Sequence, residues 1–186
     1  MGQRLFPGFD AVGAPRRRFG VVAFLALLWC AASARAEDFP EYRLKAAFLF
    51  NFVVYTEWPA EVGTTLQVCI YGADPFGREV DTLQGKSVGS RSVEVLRRAS
   101  GESLDGCQVV FVSAAAIESL PRVFDSVRGR PVLTVADSAG AARQGVALNM
   151  NVQHGRVSFE ANLPAARSGR LNLSSKLLRL ATEVIQ

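Results

Sequence analysis

Three short apolar runs constrain the fold most. Residues 66–71, 107–112 and 131–136 are almost continuously hydrophobic, and they end at Gly72, Ser113 and Asp137. A strand with one wet face alternates apolar and polar residues. A run without alternation suits a strand covered on both faces, as in a parallel sheet flanked by helices. Between the runs lie segments of helical character, a short one near 75–83 and a longer one over 117–127. Strands alternating with helices indicate α/β architecture.

The pattern changes after Asp137. Val146, Leu148, Met150 and Val152 alternate with Ala147, Asn149 and Asn151; after the turn 153–156, Val157, Phe159 and Ala161 alternate with Ser158, Glu160 and Asn162. This predicts an antiparallel hairpin. A last helix is predicted from Ser174, an N-cap residue, with Leu177, Leu178, Ala181, Val184 and Ile185 as its core stripe. A helix over 40–58, stopped by Pro59, opens the domain and is apolar nearly all round. Such a helix is buried on more than one side, either within the core or against a second subunit or partner. The whole predicts a single-domain α/β/α sandwich with a mixed, mostly parallel sheet and a C-terminal antiparallel hairpin.

The first 36 residues fall outside this domain. Arg16-Arg17-Arg18 precedes an apolar run over 21–32, followed by Ala34-Arg35-Ala36. That order is the signature of a secretory signal peptide cut between Ala36 and Glu37. The run is too short for a bilayer core, which needs about 20 apolar residues. The arginines suit either an ordinary basic leader or a twin-arginine one. The domains are therefore a leader over 1–36 and an exported domain over 37–186.

Removing the leader changes the charge. Five of the 21 basic and one of the 17 acidic residues lie in it, which leaves 16 of each. A neutral domain without a block of Lys and Arg does not suit nucleic acid. Of the three cysteines, Cys69 and Cys107 remain, an even pair in an oxidising compartment, and a disulfide is expected. The single histidine, His154, argues against a zinc site or a His-based triad. No cofactor is implied.

Candidate polar positions each carry a plainer reading. Gly72-Ala73-Asp74-Pro75-Phe76-Gly77 sits where a phosphate loop would, but it is not G-x-G-x-x-G; Asp74 reads better as a helix cap with Pro75 behind it. Asp137 stands at the carboxyl end of a strand, the usual ligand position in such sheets, or it caps a turn. Lys45 lies on an apolar helix and either pairs with a buried acid or snorkels to water. Ser174-Ser175-Lys176 is not S-x-x-K, and no G-x-S-x-G elbow occurs. A catalytic constellation is not expected. If a small ligand is bound, Asp137, Asn162 and Lys176 are the pocket candidates. The aromatic excess on the first helix and the hairpin makes Phe48, Phe52, Tyr55, Trp58 and Phe159 the interface candidates.

Tyr42-Arg43-Leu44-Lys45-Ala46-Ala47-Phe48-Leu49-Phe50-Asn51-Phe52, then Glu57-Trp58-Pro59, resembles the opening of the YfiR-like periplasmic proteins. Cys69-Ile70-Tyr71-Gly72, Asp74-Pro75-Phe76-Gly77, the cysteine-led run from Cys107, and Leu173-Ser174-Ser175-Lys176-Leu177-Leu178 follow in the same order. The resemblance implies a periplasmic protein that restrains a membrane diguanylate cyclase by binding that enzyme's periplasmic part. It also implies a competing OmpA-like outer-membrane lipoprotein, and a structural role for a Cys69–Cys107 bridge. One departure stands out: the second cysteine pair expected near the hairpin is missing. The alternative function is a periplasmic small-ligand-binding module.

Overall fold

The computed structural model describes Gly2 and residues 39–186. The leader and its cleavage point between Ala36 and Glu37 lie outside the described residues. The chain divides into Met1–Glu37 and Asp38–Gln186, and the second unit is the one described here. Among the described residues no helix is long and apolar enough to cross a membrane.

Helix α1 spans Phe39–Val54 and leads into a two-residue strand β1, Thr56–Glu57. It ends earlier than Pro59 alone would dictate. Thr56 Oγ1 donates to the Phe52 carbonyl at 2.6 Å and Trp58 Nε1 to the Val53 carbonyl at 3.0 Å. These bonds satisfy last-turn acceptors that a helix end leaves open. They free Thr56 and Glu57 to pair with a later strand.

The three apolar runs become β2 (Thr65–Tyr71), β5 (Val109–Val112) and β6 (Leu133–Ala136), and β5 and β6 are buried at every position. Between β2 and β5 come a one-turn helix α2 (Arg78–Asp81), β3 (Ser87–Val88) and β4 (Arg91–Arg98). Between β5 and β6 a 3-10 segment, Ala114–Ser119, leads into α3 (Leu120–Val127). The hairpin is β7 (Leu148–Gln153) and β8 (Arg156–Asn162). Its turn is tighter than the four residues predicted. Gln153 pairs with Arg156, which leaves His154 and Gly155 at φ 51° and 72°. Two positive φ values in a two-residue loop match the right-handed twist of the flanking strands.

The C-terminal third departs most from the prediction. An unpredicted helix α4, Leu163–Ser168, begins with Pro164 in its first turn, capped by Asn162. Strand β9 (Asn172–Leu173) pairs with β1. The predicted last helix is one turn, α5 (Ser175–Leu178), capped by Ser174 as expected. The chain then turns into β10, Glu183–Ile185, so Val184 and Ile185 belong to a strand. Thr182 begins the switch: its N–H and its hydroxyl both donate to the Phe159 carbonyl, at 2.8 and 2.9 Å. Edge pairing with β8 outweighs a helical periodicity that β-branched residues support only weakly.

The main sheet has eight strands in the order β10-β8-β7-β6-β5-β2-β4-β3. Pairings β4·β2, β2·β5, β5·β6, β6·β7 and β8·β10 are parallel, while β7·β8 and β3·β4 are antiparallel. The α/β class, the mostly parallel sheet and the hairpin therefore stand as predicted. One face packs Leu49, Phe52 and Val53 of α1, with Val80, Ala166 and Leu177 from α2, α4 and α5. The other face packs Leu120, Val123 and Val127 of α3. It also holds the bridge Cys69–Cys107, with Cα atoms 5.9 Å apart across a separation of 38 residues.

Candidate functional site

Neighbours β4 and β5 flank β2 on opposite sides, so the chain reverses its winding between β2 and β5. In open α/β sheets a ligand crevice forms at that place, beyond the carboxyl ends of the strands. Here Gly72 and Ser113 follow the two strands. Gly72 has φ +95°, and a Cβ placed on it would lie 2.6 Å from both Ser113 Oγ and Ala116 Cβ. The two loops are in close contact at the expected crevice. The next residues form an Asx turn, in which Asp74 Oδ1 accepts from the N–H of Phe76 at 2.7 Å and of Gly77 at 3.3 Å. Asp74 Oδ2 pairs with Arg97 at 2.7 Å. The candidate phosphate loop is thus held by its own aspartate. That aspartate is a turn cap rather than the helix cap predicted, because α2 starts only at Arg78.

The pocket candidates do not converge. Ala136 of β6 is level with Asn149 of β7, and Leu148 of β7 with Ala161 of β8. By that register Asp137 lies beyond the carboxyl end of β6, while Asn162 sits level with Ala147, near the other end. Asn162 ties the loop at Ala142 to the start of α4 instead. Its amide donates to the Ala142 carbonyl at 2.7 Å, and its Oδ1 accepts from the Ala165 N–H at 2.9 Å. Lys176 is exposed on α5.

Asp137 meets Lys45. Two residues that looked unrelated in the sequence form an ion pair at 2.7 Å, with side chains 5% and 3% exposed. Glu41, one turn earlier, also pairs with Lys45, and Tyr42 donates to Asp137 Oδ2 at 3.4 Å. Burial alone would lower the lysine's pKa, but its bonds to Asp137 and Glu41 outweigh that, so it stays charged and titrates above its ordinary 10.5. Burial and the adjacent Asp137 carboxylate raise the Tyr42 phenol above 10.0. The cluster pins the first half of α1 to the carboxyl edge of the sheet.

The interface candidates divide. Phe52 and Phe159 are fully enclosed, with ring centroids 5.0 Å apart, and belong to the core rather than to an outward face. Phe48, Tyr55 and Trp58 are half-buried at the edge of that cluster. What sequence reasoning did not single out is the outward face of α1 itself. Its exposed positions are Arg43, Leu44, Ala47, Asn51 and Val54. Leu44 is 41% exposed and Val54 40%. The helix is therefore apolar on two sides, one buried on the sheet and one open. The periodicity showed this, but did not tell which side would be which.

Beside this face runs a groove of about 770 Å³ between α1 and α2, lined by Arg43, Leu44, Ala47, Glu79, Leu83 and Lys86, among others. Lys86 Nζ lies 4.8 Å over the Phe50 ring, at the groove's edge. An exposed helix face with apolar side chains lies beside a groove of mixed polarity. It offers contact surface.

Residues 42–182 match the YfiR/HmsC-like family. The chain belongs to that family. The match covers most of the chain, from the Tyr42 that touches Asp137 to the Thr182 that anchors β10. The elements of this YfiR/HmsC-like domain and the resemblance noted in its motifs coincide along the chain.

Proposed function

We propose that this protein is a non-enzymatic regulator, exported to the periplasm by its cleaved leader. It binds and restrains the periplasmic part of a membrane diguanylate cyclase, and so controls cyclic-di-GMP signalling. An OmpA-like outer-membrane lipoprotein competes for it, docking and restraint being mutually exclusive. Membership of the YfiR/HmsC-like family supports this reading. The observation that carries it is the open side of α1, where Leu44, Ala47 and Val54 face outward although they are apolar. Exposed apolar side chains aligned on one helix face suit an interaction site.

The alternative, a small-ligand module, had its candidate pocket at Asp137, Asn162 and Lys176. These three are engaged or placed separately.

The test is direct binding between the purified protein and the periplasmic segment of a diguanylate cyclase encoded beside it, by titration calorimetry. A saturable complex is expected, and no detectable binding would contradict the proposal.

A further inference from the structure

We infer that the groove between α1 and α2 receives an amphipathic helix of the partner whose apolar stripe is flanked by acidic residues. This rests on the reading of the protein as a docking regulator, and it names the surface and the chemistry of the partner.

The groove has an apolar floor and a positive rim. Leu44 and Ala47 of α1 and Leu83, just past α2, form the floor. Arg43 and Lys86 line its sides. Among the described residues neither of these two cations forms an ion pair, and Glu79 is the one acid lining the groove. The domain over 37–186 is neutral in total, so an excess of positive charge around one apolar floor is a local feature. An acidic partner complements it, and such complementarity governs encounter rate and register.

The shape favours a helix. The exposed apolar positions of α1 continue past the groove from Leu44 through Ala47 to Val54. The ten residue steps from Leu44 to Val54 span about 15 Å at ~1.5 Å each, or nearly three turns. That stripe is longer than a compact metabolite, and a facing helix reads it with anchors at helical spacing. Asn51 is its one neutral polar interruption.

The experiment uses the purified protein and the purified periplasmic segment of the adjacent cyclase. A photo-crosslinking benzoylphenylalanine replaces Ala47, and mass spectrometry locates the joined peptide. Attachment to an acid-flanked helical segment is expected. Attachment to a strand, to a basic segment or to a second copy of this chain overturns the inference.

In parallel, Leu44→Asp and the double change Arg43→Glu with Lys86→Glu should each weaken binding at least tenfold. Leu180→Asp, on a side chain 70% exposed elsewhere, should not. All four positions are on the surface, so unchanged melting curves confirm folding. If the cyclase segment binds the wild type and these variants equally, the groove assignment fails while the regulatory reading stands. If it does not bind the wild type at all, the regulatory reading fails too.

Discussion

Lys45 sits one turn from the start of the apolar side of α1, and Asp137 is 92 residues away beyond β6. Without Lys45 the buried Asp137 would be an uncompensated charge, whereas Lys45 without Asp137 would keep only the half-exposed Glu41. Lys45→Met should therefore cost about 3–5 kcal/mol by leaving Asp137 buried and unpaired. Adding Asp137→Leu should recover most of that loss, as measured by urea unfolding. A double variant no better than the single one would show that the pair is not the cause.

The pH dependence has a definite sign. The folded pKa of Lys45 lies above its ordinary 10.5 and that of Tyr42 above 10.0. Both groups contribute stability that is complete below those ordinary values. It is lost as the pH rises through the folded ones. Melting temperature should fall more steeply between pH 9.5 and 11.5 (a range of about one unit around the reference values) for the wild type than for the double variant.

Elements in this domain are short, and close approaches fix them as much as propensity does. Gly72 is the clearest case. Replacement by Ala puts a side chain at φ +95° and 2.6 Å from Ser113 Oγ and Ala116 Cβ. Strain and overpacking together should destabilise by about 2–4 kcal/mol, read as a lower urea midpoint. The elements legible in the sequence are those whose pattern has one physical meaning. The continuous runs at β2, β5 and β6 fit only covered strands, and the alternation over β7 and β8 fits only a hairpin.

Other elements were ambiguous for a physical reason. Leu177, Leu178, Ala181, Val184 and Ile185 fit a helical stripe, but Val184 and Ile185 also suit a strand. The free edge of β8, which no local pattern reveals, decided between them. Helix α4 owes its start to Asn162, whose cap became visible only once its bond to Ala142 placed it. That Lys45 pairs with a buried acid is one of two readings of the sequence, but its partner Asp137 is not named there because nothing local links the two positions. The outer face of α1 was legible as apolar, but its exposure depends on what packs around it.

At the scale of the whole molecule, the bridge Cys69–Cys107 closes a loop of 38 residues across the α3 face. In the chain-entropy picture that constraint stabilises by about 4 kcal/mol. Cys69→Ser with Cys107→Ser should lower unfolding free energy by roughly that amount, and reductant should bring the wild type down to the variant. Equal stability with and without reductant would refute a structural role.

The fold supplies a rigid sheet, a helix pinned to it by Lys45 and Asp137, and an apolar side of that helix left open. The central claim is that this open side restrains a cyclase. The most direct measurement is the rate of cyclic-di-GMP formation by the full-length membrane cyclase in proteoliposomes, with the purified protein added on the periplasmic side. Expected is a saturable fall in rate with the wild type, and none with Leu44→Asp or Val54→Asp. A rate unchanged by the wild type, or lowered equally by all three, would contradict it.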